Sequence, residues 1–172
     1  MRIVRSVSLL FTGLFAGFLL GVLVLENSLR AYDGSVYTQV RKVELDSLDT
    51  LASVTLIPAL LSTLVVAVLA IRARSNDRQL LLAAFALLLV VFVTTLAINL
   101  PINGAQADWS VQAPPSDWSD VRDRWQLAHV LRTISALLAF CSLTVATMVR
   151  TARNTTVRVG NAFAGAPQKR AG

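Results

Sequence analysis

The only histidine of this 172-residue chain lies in the stretch Trp125-Gln-Leu-Ala-His129-Val-Leu-Arg132-Thr133. Spacings of four and three residues place Trp125, His129 and Arg132 on one helical face. The uncharged run that follows, 133–149, is shorter than the roughly 20 residues a helix needs to cross about 30 Å of hydrocarbon. The spanning helix must therefore include His129 and Arg132, which brings an imidazole and a guanidinium to the membrane boundary. Ionisable groups at that depth face protein or water and are functional candidates. The competing reading makes Arg132 an arginine that reaches the headgroups along its aliphatic stem, and His129 an ordinary interface residue.

Helices must position these groups, and the composition supplies them. The chain is 55% hydrophobic and 15% charged, more apolar than a soluble domain of this length can hide. Four apolar runs predict an all-α polytopic membrane protein, a four-transmembrane-helix bundle spanning about residues 6–27, 49–71, 79–100 and 127–149, with a basic tail over 151–172. The tail reads as one further helical turn followed by disorder. The first run is too long for a signal-peptide core and has no prompt small-x-small cleavage site, so it reads as a retained span. Gly13, Gly17 and Gly21 recur in it every four residues and predict close approach of another helix, within the bundle or in a homo-oligomer. The lone Cys141 excludes an internal disulfide and a cysteine-rich metal site. The net charge of +6 comes without an aromatic-basic strip, so it points to membrane topology and not to nucleic acid.

Between the spans, Asp33-Gly34 is a turn signal, and Val36, Val40, Val43 and Leu48 predict an amphipathic helical lead into the second span. Tyr32 and Tyr37 read as interface anchors. Pro58 predicts a kink, with a nearby hydroxyl to satisfy the freed carbonyl. Pro101 and Gly104 both act against helix continuation and predict a break or kink after the third span. The N-terminus, the 72–78 loop and the tail carry most of the arginines, whereas the opposite loops hold most of the acidic residues. That asymmetry predicts a multi-pass cell-membrane protein with both termini cytoplasmic, where the sequon Asn154-Thr-Thr156 would be idle.

Depth then becomes calculable. Arg5 to Glu26, Arg78 to Asn99, and Arg150 to His129 are each 21 residues apart, about 31 Å of helix. Three helices thus deliver a carboxylate, a carboxamide and an imidazole to one layer, with Arg132 about a turn deeper. Such a set supports several chemistries. Glu26 and Arg132 could neutralise one another. His129 could act as a general base whose protonated form Glu26 holds, while Arg132, Asn99 and Asn103 hold an enolate or peroxide oxygen. One histidine and one carboxylate fall short of a metal's usual ligand set, and no motif implies a nucleotide, flavin or thiol cofactor, so no cofactor and no metal are expected.

The combination Asn99-Leu-Pro101-Ile-Asn103, Trp109, Trp118 and Arg124-Trp125-xxx-His129-xx-Arg132-Thr133 resembles the anthrone-oxygenase-like family of integral membrane proteins. The resemblance spans the four-helix layout and is most specific from Asn99 to Thr133. It implies an enzyme of secondary metabolism, a cofactor-independent monooxygenase that uses dioxygen to oxidise a polyketide anthrone to an anthraquinone, although most members have no established activity. Matched residue by residue, Asn99, Pro101, Asn103, Trp125, His129 and Arg132 correspond, with Glu26 a counterpart in the first helix. On this reading the partners are the lipid bilayer and a hydrophobic aromatic molecule that enters from lipid and stacks on Trp125. Trp109, Trp118 and Tyr37 complete its binding surface. His129 removes a carbon-bound proton and Arg132, with Asn99 or Asn103, holds the enolate. The alternative is a non-catalytic membrane protein that binds a lipid or small molecule or serves as a complex subunit, its polar cluster fixing helix packing.

Overall fold

A computed structural model describes the backbone of residues 2–164 and the side chains of residues 3–150. It is all-α. Helix α1 (Arg2–Ser28) runs through a short 3-10 turn, Leu29–Ala31, to α2 (Gly34–Arg72). After a tight loop come α3 (Arg78–Thr94), a π turn (Thr95–Asn99) and α4 (Leu100–Ala107), and a longer loop leads to α5 (Trp118–Ala164). Four helical segments, Ile3–Ala31, Gly34–Arg72, Arg78–Ala107 and Trp118–Arg150, are long and apolar enough to cross a membrane. The chain is thus a multi-pass four-helix membrane bundle. The helices close into a ring in which α1 packs on α2, α2 on α3, α3 on α5 and α5 on α1.

Small residues let the backbones approach. One core cluster sets Ala59, Ala67 and Ala70 of α2 against Ala84 of α3 and Ala139 and Ala146 of α5. A second joins Phe15, Ala16 and Leu19 of α1 to Leu56, Val91 and Ala136. Because lipid is as apolar as leucine, such helices associate through close packing and hydrogen bonds, as in the Ser8–Thr63 hydroxyl pair at 2.6 Å. The larger apolar side chains Leu10, Leu14, Val24, Leu61 and Val93 point outward. Lipid covers them.

Several expectations need correction. The lead-in over 34–48 and the second span are one continuous 39-residue helix, about 58 Å long, nearly twice the hydrocarbon thickness. The Asp33 side chain caps it, accepting from the Ser35 and Val36 amides at 3.0 Å each, a device worth about 1 kcal/mol. The face it buries is polar. Tyr37, Thr38, Arg41 and Glu44 are buried, whereas Val36 and Val43 are exposed. The valines face outward because polar groups on the other helices satisfy the Arg41 face. Pro58 lies inside α2 as expected, but the Thr55 and Ser62 hydroxyls bond Leu51 O and Pro58 O, and not the carbonyl of Val54 that the proline frees.

Pro101 and Gly104 do not break the third span, which runs unbroken from Arg78 to Ala107. Pro101 has no N–H for the carbonyl four residues earlier, and its ring crowds that carbonyl. The chain answers by widening one turn, so that the Leu100 amide bonds Thr95 O five residues back. Such π turns concentrate at functional sites, and this one carries the buried Asn99. Helix α5 extends beyond the single further turn expected after Arg150 and reaches Ala164. The expected disorder of 165–172 and the Asn154 side chain lie outside the described residues.

The glycine stripe divides. A Cβ on Gly13 would meet Phe140 Cε2 at 2.9 Å, but nothing lies within 4 Å of one on Gly17 or Gly21. Gly13→Ala is therefore expected to lower bundle stability by about 1–3 kcal/mol through the displaced Phe140 ring. Gly17→Leu should leave thermal unfolding of the isolated bundle unchanged, and a shift in its oligomeric state in detergent would assign Gly17 to a contact between copies.

At the end of the bundle that holds the N-terminus, Arg5 forms a buried ion pair with Asp77 at 2.6 Å, and the Ser75 hydroxyl also donates to Asp77. Burial pushes the Asp77 carboxyl up, but the Arg5 and Ser75 groups outweigh it and hold the carboxyl below its ordinary value. A depressed acid contributes stability above its unfolded pKa and loses it as pH falls through the folded one. Asp77→Asn should therefore lower the melting temperature at neutral pH. The gap from wild type should close only in strong acid.

Candidate active site

At the opposite end, Arg41 is the hub. Its Nε donates to Gln106 Oε1 at 3.1 Å, Nη1 to Glu26 Oε1 at 3.0 Å and to Glu44 Oε2, and Nη2 to Asn103 Oδ1 at 2.9 Å. The guanidinium also lies 4.3 Å from the Trp125 ring centroid, within cation–π range. One side chain of α2 thereby ties α1, α4 and α5 together. Gln126 closes the set by donating to the Glu26 carbonyl at 2.9 Å and to its carboxylate at 3.3 Å.

Two carboxylates on one guanidinium are tolerable here because α2 outruns the bilayer. Twenty residues back from Arg72 is Ala52, which marks about 30 Å of helix. Tyr37 to Asp49 therefore stand at or beyond the hydrocarbon boundary. His129, Asn99 and Arg132 lie at or just inside it by the same count from Arg150 and Arg78.

His129 is 1% exposed and stacks on Trp125, ring centroids 4.7 Å apart and planes 8° from parallel. The Trp125 Nε1 donates to Asn103 Oδ1 at 2.7 Å, which fixes the indole. His129 Nε2 lies 2.9 Å from Leu19 O. A carbonyl only accepts, so Nε2 carries the proton and, in the neutral ring, Nδ1 is the basic nitrogen. Among the described residues Nδ1 has no partner. Arg132 is 6% exposed, its Nε is likewise unpartnered, and among the described residues no carboxylate forms an ion pair with it.

These groups line a cavity of about 120 Å³. Four buried polar atoms without partners belong to residues of its wall: His129 Nδ1, Arg132 Nε, Asn99 Oδ1 and Glu44 Oε1. Buried polar groups are nearly always hydrogen-bonded, so four orphans on the residues of one wall set this cluster apart as a candidate site.

The structure brings together His129, Arg132, Asn99, Asn103 and Trp125, all on the cavity wall. It sets Glu26 apart: the carboxylate serves Arg41 and Gln126, and neither pairs with Arg132 nor touches the His129 ring nitrogens. Tyr37, Trp109 and Trp118 are absent from the wall and form their own cluster, with Tyr37 5.6 Å from Trp118 and 6.5 Å from Trp109. A Cβ on Gly34 would strike Trp118 at 2.9 Å. Tyr37 is no interface anchor; it is fully buried and accepts from Gln106 Nε2 at 3.1 Å. The carboxamides are also differently engaged than expected. Asn99 Nδ2 donates to Trp125 O, its buried oxygen has no partner among the described residues, and Asn103 Oδ1 accepts from Arg41 and Trp125.

Sequence reasoning missed Arg41, Glu44, Gln106 and Gln126. A signal existed, since Tyr37, Arg41, Glu44 and Leu48 repeat at four, three and four residues, and Asn99, Asn103 and Gln106 at four and three. Each series is one helical face.

No curated protein and no solved structure matches the chain. A family model described as Anthrone oxygenase matches residues 49–142, more than half of it. The matched span holds Asp49, Asn99, Asn103, Trp125, His129 and Arg132, whereas Glu26, Arg41 and Glu44 precede it. With its four membrane helices and this match, the chain belongs to the anthrone oxygenase family.

Proposed function

We propose that this protein is a membrane-embedded oxidoreductase that uses dioxygen to convert a hydrophobic hydroxyarene, or its keto tautomer, to a quinone. The observation that carries this reading is that Arg132 Nε and the basic nitrogen of His129, both buried and without partners among the described residues, belong to two residues on the wall of one cavity.

The steps use these groups in turn. His129 Nδ1 takes the hydroxyl or carbon-bound proton, which gives the same ambident anion from either tautomer. Arg132 Nε–H holds the negative oxygen, in a site where a charge-assisted bond is strong. The opposite ring carbon attacks dioxygen, and protonated His129 gives its proton to the resulting peroxide anion, which becomes a hydroperoxide. Glu44 Oε1 then takes the remaining ring C–H proton as the O–O bond breaks, and hands it to the departing hydroxide. One oxygen atom enters the ring and the other leaves as water, with both protons returned. Asn99 Oδ1 accepts from a substrate hydroxyl, and Asn103 keeps Trp125 and Arg41 in place.

Proteoliposomes supplied with anthrone-like and other hydroxyarenes should consume one dioxygen per quinone and release no hydrogen peroxide. Saturable binding with no oxygen uptake by any of them would move the protein to the non-catalytic binding role.

The same reading places the site at the outer face of a cell membrane with both termini in the cytoplasm, in keeping with the basic residues at the opposite end. A cysteine introduced at Ser75 should be labelled by a membrane-impermeant maleimide only after the cells are opened. Labelling of intact cells would invert the orientation.

A further inference from the structure

We infer that the π turn is a register shift that supplies the site with its carboxamides. It holds one residue more than a regular helix needs, and that residue turns Asn99, Asn103 and Gln106 inward as positioning residues. Where turnover is the readout, the inference rests on the oxidoreductase reading above.

The shift is visible in the burial pattern. Leu81, Ala84, Leu88 and Val91 are buried at steps of three, four and three residues, the alternation of a helix packed in a bundle. Continued through a regular helix, the same steps reach Thr95, Ile98, Ile102 and Ala105. None of these is buried, and Ile98 is 39% exposed. The line resumes one residue later, at buried Asn99 and Gln106 with half-buried Asn103 between them. The change falls in Thr95–Asn99, where the Leu100 amide bonds Thr95 O five residues back, a closure that takes up one extra residue. One residue is about 100° of rotation.

That rotation decides which chemistry α4 brings. An apolar line, Ile98, Ile102 and Ala105, and a carboxamide line run side by side, and the turn selects the second. Asn103 Oδ1 then accepts from Arg41 and from the Trp125 indole, which stacks on His129. Gln106 accepts from Arg41 and donates to Tyr37, and Asn99 donates to Trp125 O. A regular helix would set apolar side chains against the buried Arg41 and Trp125 N–H groups, and buried donors without acceptors are costly. These bonds hold the turn open. Easing Pro101 is a second use of the same turn.

The Trp125 indole reports the register without any assay of activity. Its Nε1–H bond to Asn103 Oδ1 is 2.7 Å long, and nitrogen-15 labelling of tryptophan in the detergent-solubilised protein shows that N–H as one of three indole signals. Trp109→Phe and Trp118→Phe assign them, and Asn103→Ala gives the position of the Trp125 signal without the bond. In Pro101→Ala the signal should stay at its wild-type position, because the carboxamide bonds keep the turn. Deletion of Ala97, made together with Pro101→Ala, should also leave it there, since a regular helix then delivers the same face. Deletion of Leu96 and Ala97 in that background turns Asn103 about 100° away and should move the signal to the Asn103→Ala position. Oxidation of hydroxyarenes should be kept in the first two variants and lost in the third. Displacement of the signal in Pro101→Ala would make the proline the sole source of the turn and overturn the inference. Displacement in the single deletion, or a wild-type position in the double deletion, would overturn it too. If the deletion variants do not fold, Pro101→Ala decides alone. If the wild-type protein oxidises no hydroxyarene, the oxidoreductase reading falls and the indole signal still decides the register.

Discussion

Replacement of His129 by alanine is expected to lower substrate oxidation by at least about 100-fold, the lower end of what a positioned acid–base group contributes, while the bundle stays folded. His129 serves in two steps of the proposed reaction, first as base and then as acid, and no other imidazole exists in the chain to replace it. His129→Asn fills more of the space beside Trp125 and should be as inactive, so lost packing is not the cause. Arg132→Lys should lose most activity as well. An ammonium is a point donor on a flexible stem and does not reproduce the fixed fork of the guanidinium. Glu44→Gln should allow the first proton transfer but not quinone formation. Under anaerobic conditions it should still exchange substrate deuterium with water, and His129→Ala should not. Wild-type rates in His129→Ala proteoliposomes would end the catalytic assignment, provided the circular dichroism and melting temperature match.

A second large effect is expected at a residue that touches no proposed reacting atom. Arg41→Met should destabilise the bundle by about 3–5 kcal/mol, the usual consequence of removing one partner from a buried charge cluster. Glu26 and Glu44 would then be left together in the interior with no cation. Arg41→Lys should recover only part, because one ammonium cannot reach Gln106, Glu26, Glu44 and Asn103 together as the guanidinium does. The triple variant Arg41→Met, Glu26→Gln, Glu44→Gln should recover more than Arg41→Lys, since it removes the uncompensated charge itself. Thermal unfolding in detergent measures all three. A melting temperature unchanged in Arg41→Met would show that the cluster is solvated and holds nothing together.

The two effects differ in origin. Arg41 has every bond it needs from the protein and acts by fixing Trp125 and the helix ends. Arg132 makes no ion pair among the described residues, and its Nε has no partner there. Two arginines on the wall of one cavity thus differ in engagement: two carboxylates form ion pairs with Arg41 and, among the described residues, none does with Arg132.

That difference also separates what the sequence determines from what the fold decides. Hydropathy alone determines the four helices, because a membrane leaves each backbone no other way to satisfy its hydrogen bonds. Helical spacing alone puts Trp125, His129 and Arg132 on one face, and the matching distances from Arg5, Arg78 and Arg150 bring Glu26, Asn99 and His129 to one depth. The family, too, is readable in those residues. Local rules mislead where a distant partner outweighs them. Pro101 reads as a break or a kink, and the assembled helix settles on neither a stop nor a regular turn but on a π turn just before the proline. Val36 and Val43 read as a packing stripe, yet they face outward because Arg41, between them, finds four acceptors on three helices. Which carboxylate meets which guanidinium was open between Glu26–Arg132 and other pairings, and only the assembled bundle selects Glu26 with Arg41. The reason is geometric: sequence spacing fixes a residue's height and angle on its own helix, but not the rotation and register of one helix against the next. Those are set by the summed packing of all four, and the pairs, the cavity and its mouth follow from them.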